Sequence, residues 1–422
     1  MHEIKCDVAV IGGGPAGLAA AASAKKQGAG KVLIVERDNA LGGILQQCIH
    51  PGFGLGYYHE ELTGPEYAGR FISEVNSLGV ECILDTMVLE ILPAVDDTRI
   101  ICTNNKYGIT EIISRSLVLA MGCRERTRGS IKIPGTRPSG VYTAGAAQRL
   151  INRQNTMPGQ EAVILGSGDI GMIMARRLTL EGAKVAAVVE IMDFPAGLTR
   201  NRVQCLDDFG IPLLLSHTVT WIAGNGRLEG VKVARVDENK RPIPETERFI
   251  KCDTLLLSVG LIPENELSRS ASVEIDPVTS GPVVNQYMQT SVPSIFACGN
   301  VVHVNDLADN VSLESEIAGK EAAGYAAGVF HKTEGSISCR AGANVRYICP
   351  QKIDLNSEDR EITLYLRVSS PEAKVSISAW QDAYKLCGKK AVKVNPGEME
   401  HLCFNGRNLQ PGDIVVNVVR ED

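Results

Sequence analysis

Two glycine-rich turns, each answered by a glutamate at the same spacing, are the residues of this chain best suited to chemistry. Gly12-Gly13-Gly14-Pro15-Ala16-Gly17 directly follows the apolar run Val8-Ala9-Val10-Ile11, and Gly166-Ser167-Gly168-Asp169-Ile170-Gly171 directly follows Ala162-Val163-Ile164-Leu165. Glu36 stands as far beyond Gly12 as Glu190 does beyond Gly166. A dinucleotide needs this arrangement. The first glycine (Gly12, Gly166) makes the tight turn, and the second (Gly14, Gly168) lets the backbone approach a pyrophosphate. The third (Gly17, Gly171) lets helix and strand pack closely, and the acid at the end of the next strand hydrogen-bonds a ribose diol. The helix N-terminus, opening at Pro15-Ala16 or Asp169-Ile170, adds unpaired N–H groups and a positive dipole end for the phosphates. One such motif in a chain with 42 glycines is weak; two in the same context at the same spacing are strong.

A second chemistry lies in the loop after Gly42-Gly43, which carries Cys48 and His50. A thiol there can form a sulfenic acid or mixed disulfide, with His50 lowering its pKa. It can equally be a small buried residue, as free cysteines often are. His50 and His59 suit proton donation or simple loop packing. Cys123 and Cys298 flank glycines that end strands, and inert packing suits both. The tail cysteines Cys339, Cys349, Cys387 and Cys403 form no C-x-x-C pair, so no metal or cluster is expected.

The elements that must position these groups follow from the apolar pattern. The first unit has a strand, an alanine-rich helix from Leu18 to Gln27, a strand from Lys31 to Glu36, a helix from about Gly64 to Leu78 and β segments from Val80 to Thr103. It ends in the buried strand Ser116–Gly122. The second repeats the plan, with a helix from Ile170 to Glu181, a strand from Ala183 to Glu190 and a closing strand Asp253–Gly260 that mirrors Ser116–Gly122. Another buried strand, Ser294–Asn300, precedes a helix from about Ser312 to Val329. After Gly335, Ile362–Val368, Lys374–Ala379 and Asp413–Val419 alternate as strands. The fold class is α/β, with two Rossmann-like dinucleotide-binding domains and a small C-terminal β-rich domain. The expected boundaries are 1–136, 137–262, 263–334 and 335–422. Hydrophobic residues at 44% and a net charge of −6 suit a globular enzyme and argue against nucleic acid as a partner. The first strand starts by about Cys6, which leaves no room for a signal peptide, and the stretch Ala16–Ala24 is too short to span a bilayer. Twelve scattered cysteines then point to reduced thiols in a cytoplasm.

With both fingerprints and both strand echoes in place, residues 5 to 330 resemble the pyridine nucleotide–flavin oxidoreductases, in which an NAD domain is inserted into an FAD domain. The resemblance implies FAD at the first fingerprint and NAD(H) at the second. It extends the cofactor contacts to Arg37, Gly43, Ile44, Val88, Ala120, Gly122, Gly260, Gly299, Asn300 and Val311. It also implies that the helix near Ser312 points its positive end at the flavin. Asn300 stands where the family carries aspartate. Disulfide reductases of the family place two cysteines in the loop that here holds only Cys48, and losing one removes dithiol exchange. Glu190, with no arginine in Ile191-Met192-Asp193-Phe194, favours NADH over NADPH. The stretch Gly42–Gly54 with Glu61–Tyr67 is similar to the branch of the family that accompanies anaerobic-type glycerol-3-phosphate dehydrogenases, opine oxidases and hydrogen cyanide synthase. That likeness implies a second flavoprotein dehydrogenase as partner; the alternatives are a stand-alone NADH-dependent reductase of thiols, peroxide or oxygen using Cys48, and a flavin-binding subunit without catalysis, against which the intact second fingerprint argues. The groups of residues 44–67 (Gln46, Gln47, His50, Phe53, Tyr57, Tyr58, Glu61, Glu66) and the tail offer surface for the partner, although the tail could equally cover a homodimer seam.

Overall fold

The computed structural model describes residues 2–329, 335–355 and 360–421. The chain divides into two compact units, Met1–Cys123 with Pro263–Asp422, and Arg124–Ile262. The second unit therefore opens at Arg124, ahead of the 137 expected, and residues 335–421 belong with the first.

The first unit is built on a seven-stranded sheet. Its central strand, His2–Ile11, pairs in parallel with Val32–Val35 on one side and Gly108–Leu119 on the other. Val8, Ala9 and Val10 are wholly buried, as the unbroken apolar run of a parallel strand covered on both faces requires. Strand Gly108–Leu119 serves two partners along its other edge: Thr98–Asn104 antiparallel at its start, and Ile295–Ala297 parallel at its end. Helix Pro15–Lys26 packs against helix Ala308–Ala326. Small residues make this close crossing possible, since a Cβ on Gly319 would come within 2.8 Å of Ala20 Cα. The second of these helices starts a turn earlier than the Ser312 expected and ends at Ala326. Its first turn carries the polar Asp309 and Asn310, which conceal the start in the sequence.

The tail is richer in strands than the three expected. Glu361–Val368, Glu372–Gln381 and Ile414–Arg420 form at those places. Ser336–Ala341, Val345–Cys349, Lys352–Asp354, Tyr384–Val394 and Glu400–Asn405 join them in a five-stranded and a three-stranded sheet. Ile362, Leu364, Leu366 and Val368 alternate into the core between the sheets. The expected boundary at 334/335 adjoins residues 330–334, outside the described residues. The tail is hydrogen-bonded to the rest of its unit: Val284 O accepts from the N–H groups of Gln351 and Lys352, both at 3.2 Å.

In the second unit, the parallel sheet runs Val141–Thr143, Thr254–Leu257, Glu161–Leu165, Lys184–Val189, Leu213–Leu214. A three-stranded antiparallel sheet, His217–Asn225, Arg227–Arg235 and Arg248–Lys251, follows the same core. Helix Ala144–Gln154, capped by the Thr143 side chain, is an element not among those expected; it buries Ala144, Ala147 and Ile151 along one face. No helix among the described residues is long and apolar enough to cross a membrane.

Candidate functional site: two nucleotide cradles

The two fingerprints fold alike, one in each unit. Gly12 and Gly166 have φ of +106° and +96°, a region that only glycine enters without strain. A Cβ on either would strike the backbone of the strand echo, at Ala120 or Ser258. Gly17 and Gly171 pack onto the turns before them, with a Cβ on Gly171 reaching Ser258 Cβ at 2.7 Å. Ala120 and Ser258 thus do the same work in each unit, which explains why the strand–glycine echo recurs.

The acids also match. Glu36 Oε2 accepts from Gly13 N at 2.6 Å, and its Oε1 accepts from Asp38 N at 2.7 Å. Glu190 Oε2 accepts from Ser167 N at 2.9 Å and Ser167 Oγ at 2.7 Å, and its Oε1 accepts from Met192 N at 2.9 Å. Both carboxylates are buried. Backbone donors, joined at Glu190 by the Ser167 hydroxyl, fix each one at the mouth of its turn, and both Glu36 oxygens and Glu190 Oε1 keep a second acceptor direction for a ribose hydroxyl.

The fit of a nucleotide is tested by the middle glycine. At Gly14, φ is −77° and ψ −172°, which any residue adopts. A Cβ there would meet only Gly43 Cα, at 3.9 Å. Nothing in the protein fills the space beside Gly14, so a pyrophosphate has room to approach the backbone there. Helix ends agree. Helices Pro15–Lys26, Asp169–Leu180 and Ala308–Ala326 have no cap from the N-cap side chain, which leaves first-turn N–H groups for a ligand, although in the second of them Gly171 N already donates to Ser258 Oγ at 3.1 Å. Helix Gly64–Ser77 instead closes its N-terminus with a full capping box between Thr63 and Glu66.

Around the first turn the structure gathers several residues named from the sequence. A Cβ on Gly299 would sit 2.8 Å from Ala16 Cβ and 3.1 Å from Val311 Cγ1, so the strand end and both uncapped helix ends converge. Gly43 faces Gly14, with its Cβ position 2.9 Å from Gly14 Cα. Ile44 is exposed at the same loop, while Arg37 is exposed beside Glu36. Val88 is buried on strand Thr86–Pro93, whose first N–H donates to Glu36 O. Gly122 O accepts from Glu264 N at 3.0 Å. Asn300 turns its amide inward: Oδ1 accepts from Asn305 N at 2.9 Å and Nδ2 donates to Cys123 Sγ at 3.6 Å. That use needs both a donor and an acceptor, which aspartate cannot supply.

In the second unit, Gly168 heads the fingerprint helix, Ile170 lies in its first turn, and Gly260 O accepts from Arg126 N at 3.0 Å. Ser167 and Asp169 do more than the motif requires. Ser167 Oγ accepts from Ala196 N at 2.8 Å, and Asp169 Oδ1 accepts from Leu198 N at 2.8 Å and Asn201 Nδ2 at 2.7 Å. They draw segment 196–201 back over the turn, a long-range link with no local signal.

Cys48 is buried and its thiol donates to Ile44 O at 3.3 Å. It lies under Gly64, where a Cβ would come within 2.8 Å of Cys48 Cβ. His50 Nδ1 lies 3.1 Å from Pro51 O, and its ring packs 5.2 Å from Phe53. His59 is exposed at the loop tip. Most other groups of residues 44–67 have work inside the molecule. Phe53, Tyr57, Tyr58, Tyr67 and Phe71 form one aromatic cluster, and Arg70 lies over the Tyr58 ring. Tyr57 donates to Glu316, Gln46 donates to Leu41 O, and Glu66 serves the capping box. The sequence offered no sign of Asp309, whose carboxylate accepts from Gly54 N at 3.0 Å and Gly56 N at 2.7 Å and so ties this loop to helix Ala308–Ala326.

Two such cradles in one chain define a nucleotide-dependent redox protein. The sequence profile of the pyridine nucleotide-disulphide oxidoreductases matches residues 6–322, and the chain belongs to that family. Members of the family are oxidoreductases that work with FAD and NAD(P)H. Similar proteins include the hydrogen cyanide synthase subunit HcnB of Pseudomonas aeruginosa, 28% identical over 70% of this chain and 66% of that one. An opine oxidase subunit from Agrobacterium tumefaciens is 25% identical over 70% of this chain and 61% of that one. The chain thus matches less than two thirds of these relatives' own length. In fold it is similar to T. acidophilum thioredoxin reductase, with a TM-score of 0.63 at 21% identity over 77% of this chain and 99% of that one.

Proposed function

We propose that the first cradle holds FAD and the second NAD(H), and that the chain is the electron-transfer component of a complex with a flavoprotein dehydrogenase of the glycerol-3-phosphate dehydrogenase type. The observation that carries the reading is the pair of matched cradles, each with a buried, backbone-fixed glutamate, in a chain whose redox loop has a single cysteine. When bound, the two cofactors supply hydride exchange between nicotinamide and flavin. The protein's part is placement. Glu36 and Glu190 take the ribose hydroxyls, the uncapped helix ends take the phosphates, and the Gly299–Val311 junction closes the first cradle. Glu190 also sets the choice of nicotinamide. A carboxylate held at the ribose accepts from a 2′-hydroxyl and repels a 2′-phosphate, which favours NADH.

The partner reading is supported by relatives that are themselves subunits, HcnB and the opine oxidase chain. It is also supported by Cys48, whose burial and hydrogen bond to Ile44 favour packing over thiol chemistry. A stand-alone reductase of thiols, peroxide or oxygen would need that thiol accessible. The deciding experiment is anaerobic reduction of the purified protein by NADH, followed by co-purification from the native cell and mass spectrometry. Bleaching of the flavin by NADH, with a flavoprotein dehydrogenase recovered alongside, is expected. Recovery of this chain alone, with full NADH-linked turnover by itself, overturns the partnered role.

A further inference from the structure

The loop between strand Ile295–Ala297 and helix Ala308–Ala326 begins with Gly299 and Asn300, which line the first cradle, and the tail domain holds it from outside. Inside the unit, Glu314 gathers the loop's start: Oε2 accepts from Gly299 N at 3.1 Å, and Oε1 lies 2.8 Å from His303 Nε2. The loop's end is gathered by Arg367, on tail strand Glu361–Val368. Its guanidinium pairs with Asp306 and donates to Val304 O at 3.0 Å. Its other N–H groups reach Pro396 O at 3.0 Å and the Tyr347 hydroxyl at 3.1 Å. Met399 N donates to the second Asp306 oxygen at 2.6 Å. The Arg367 and Asp306 side chains are only 12% and 9% exposed. A buried pair with four of the five guanidinium N–H groups directed is held by geometry rather than by charge alone, and arginine's planar fork is the group that can reach four acceptors at once.

The contacts of Arg367 and Met399 lie beyond residue 322, where the match to the family ends, or join that region to it. Loops of this kind are positioned by what surrounds them. Here the loop from Gly299 to Asp306 is pinned at one end by its own helix and at the other by the tail.

We propose that Arg367 is a positioning residue for the first nucleotide: through Asp306 and Val304 the C-terminal domain sets the shape of the Gly299–Asn300 end of the cradle, so cofactor retention depends on a domain outside the family's common core. The inference rests on the reading of the first cradle as an FAD site. Arg367→Lys keeps the charge but loses the fork, Arg367→Met loses both, and Asp306→Asn keeps the size while removing the charge of the partner. Each full-length variant is compared with the wild type for flavin content as purified, for the FAD dissociation constant of the reconstituted apoprotein by flavin fluorescence, and for the visible circular dichroism of bound flavin.

FAD binding weakened about tenfold in Arg367→Met, as expected for loss of hydrogen bonds made by a charged group, with a smaller loss in Arg367→Lys and an altered flavin dichroism, is the expected result. The thermal midpoint of Asp306→Asn apoprotein should meanwhile fall less, against wild-type apoprotein, than that of the holoprotein falls against wild-type holoprotein. Should Arg367→Met fail to fold, Arg367→Lys and Asp306→Asn decide. Unchanged FAD affinity and dichroism in both overturns the proposal, as does an apoprotein midpoint that falls as far as the holoprotein's. Wild-type protein without flavin, and without affinity for added FAD, would sink the cofactor assignment itself.

Discussion

Within the first fingerprint, glycines do different jobs and should fail differently. Gly14 has open space and ordinary dihedrals, so Gly14→Ala should fold normally and lose FAD. Gly12→Ala, at φ +106° against the Ala120 backbone, should lower the yield of folded protein. Comparing flavin content with the thermal midpoint of each variant checks this; a Gly14→Ala protein with full flavin content contradicts the nucleotide reading. Glu190 is fixed by three donors around Ser167 and Met192. Glu190→Ala should weaken NADH binding by about 1.5–3 kcal/mol, the value of a hydrogen bond to a charged group, and narrow the preference over NADPH. Flavin reduction by the wild type at equal NADH and NADPH shows the preference directly, and faster reduction by NADPH overturns it. Cys48→Ser, at a buried position whose thiol hydrogen-bonds Ile44 O, should leave the rate of flavin bleaching by NADH near normal in stopped flow. Loss of bleaching would assign the thiol a direct part.

Among the elements, helix Ala308–Ala326 connects several parts of its unit. Its first turn meets Gly299 through Val311, and its Asp309 carboxylate holds Gly54 and Gly56. Further along, Ser312 bonds the Tyr67 hydroxyl at 2.7 Å and Glu316 receives Tyr57. Burial raises the Tyr57 and Tyr67 hydroxyls far above their ordinary values, so both stay protonated and can donate. Asp309→Ala removes a buried acceptor from two N–H groups, and such orphaned donors open locally. Faster amide exchange at residues 52–58, with strand His2–Ile11 unchanged, is the expected outcome. Exchange rates equal to wild type would show that the aromatic cluster alone holds the loop.

For the whole molecule, the twelve cysteines give a compact test. None is joined in a disulfide in the structure. Burial pushes the Cys298 thiol up to about 12, and burial followed by the neighbouring Glu314 charge raises Cys349 well above the ordinary range. Thiolates are the species that alkylate, so these two should resist iodoacetamide at pH 8 while exposed Cys403 reacts first. Peptide mass spectrometry after timed labelling checks the order. Unfolding without reductant should then release all twelve thiols; a shortfall would reveal a disulfide and weaken the inference of a reducing compartment.

The sequence alone determined the parts written in local pattern. Strand, glycine turn, helix and acid are contiguous, each fixed by backbone geometry that only certain residues satisfy, so both cradles and their residues from Gly12 to Glu36 and Gly166 to Glu190 were legible. The strand echoes were legible too, because a parallel strand buried on both faces is an unbroken apolar run. Helix Ala144–Gln154 and the start of helix Ala308–Ala326 were not, since the buried face of the first is mostly small residues and the first turn of the second is polar. Only the tertiary structure could decide the role of residues 44–67. Their polar and aromatic groups suggest an external partner in the sequence, but they find Asp309, Glu316 and Phe71 inside the fold. The same holds for Arg367 and Asp306, which lie far apart in the chain. Buried polar groups must be matched wherever the fold brings them. No window of sequence contains both members of such a pair, and the tail's place at the first cradle follows from pairs of that kind.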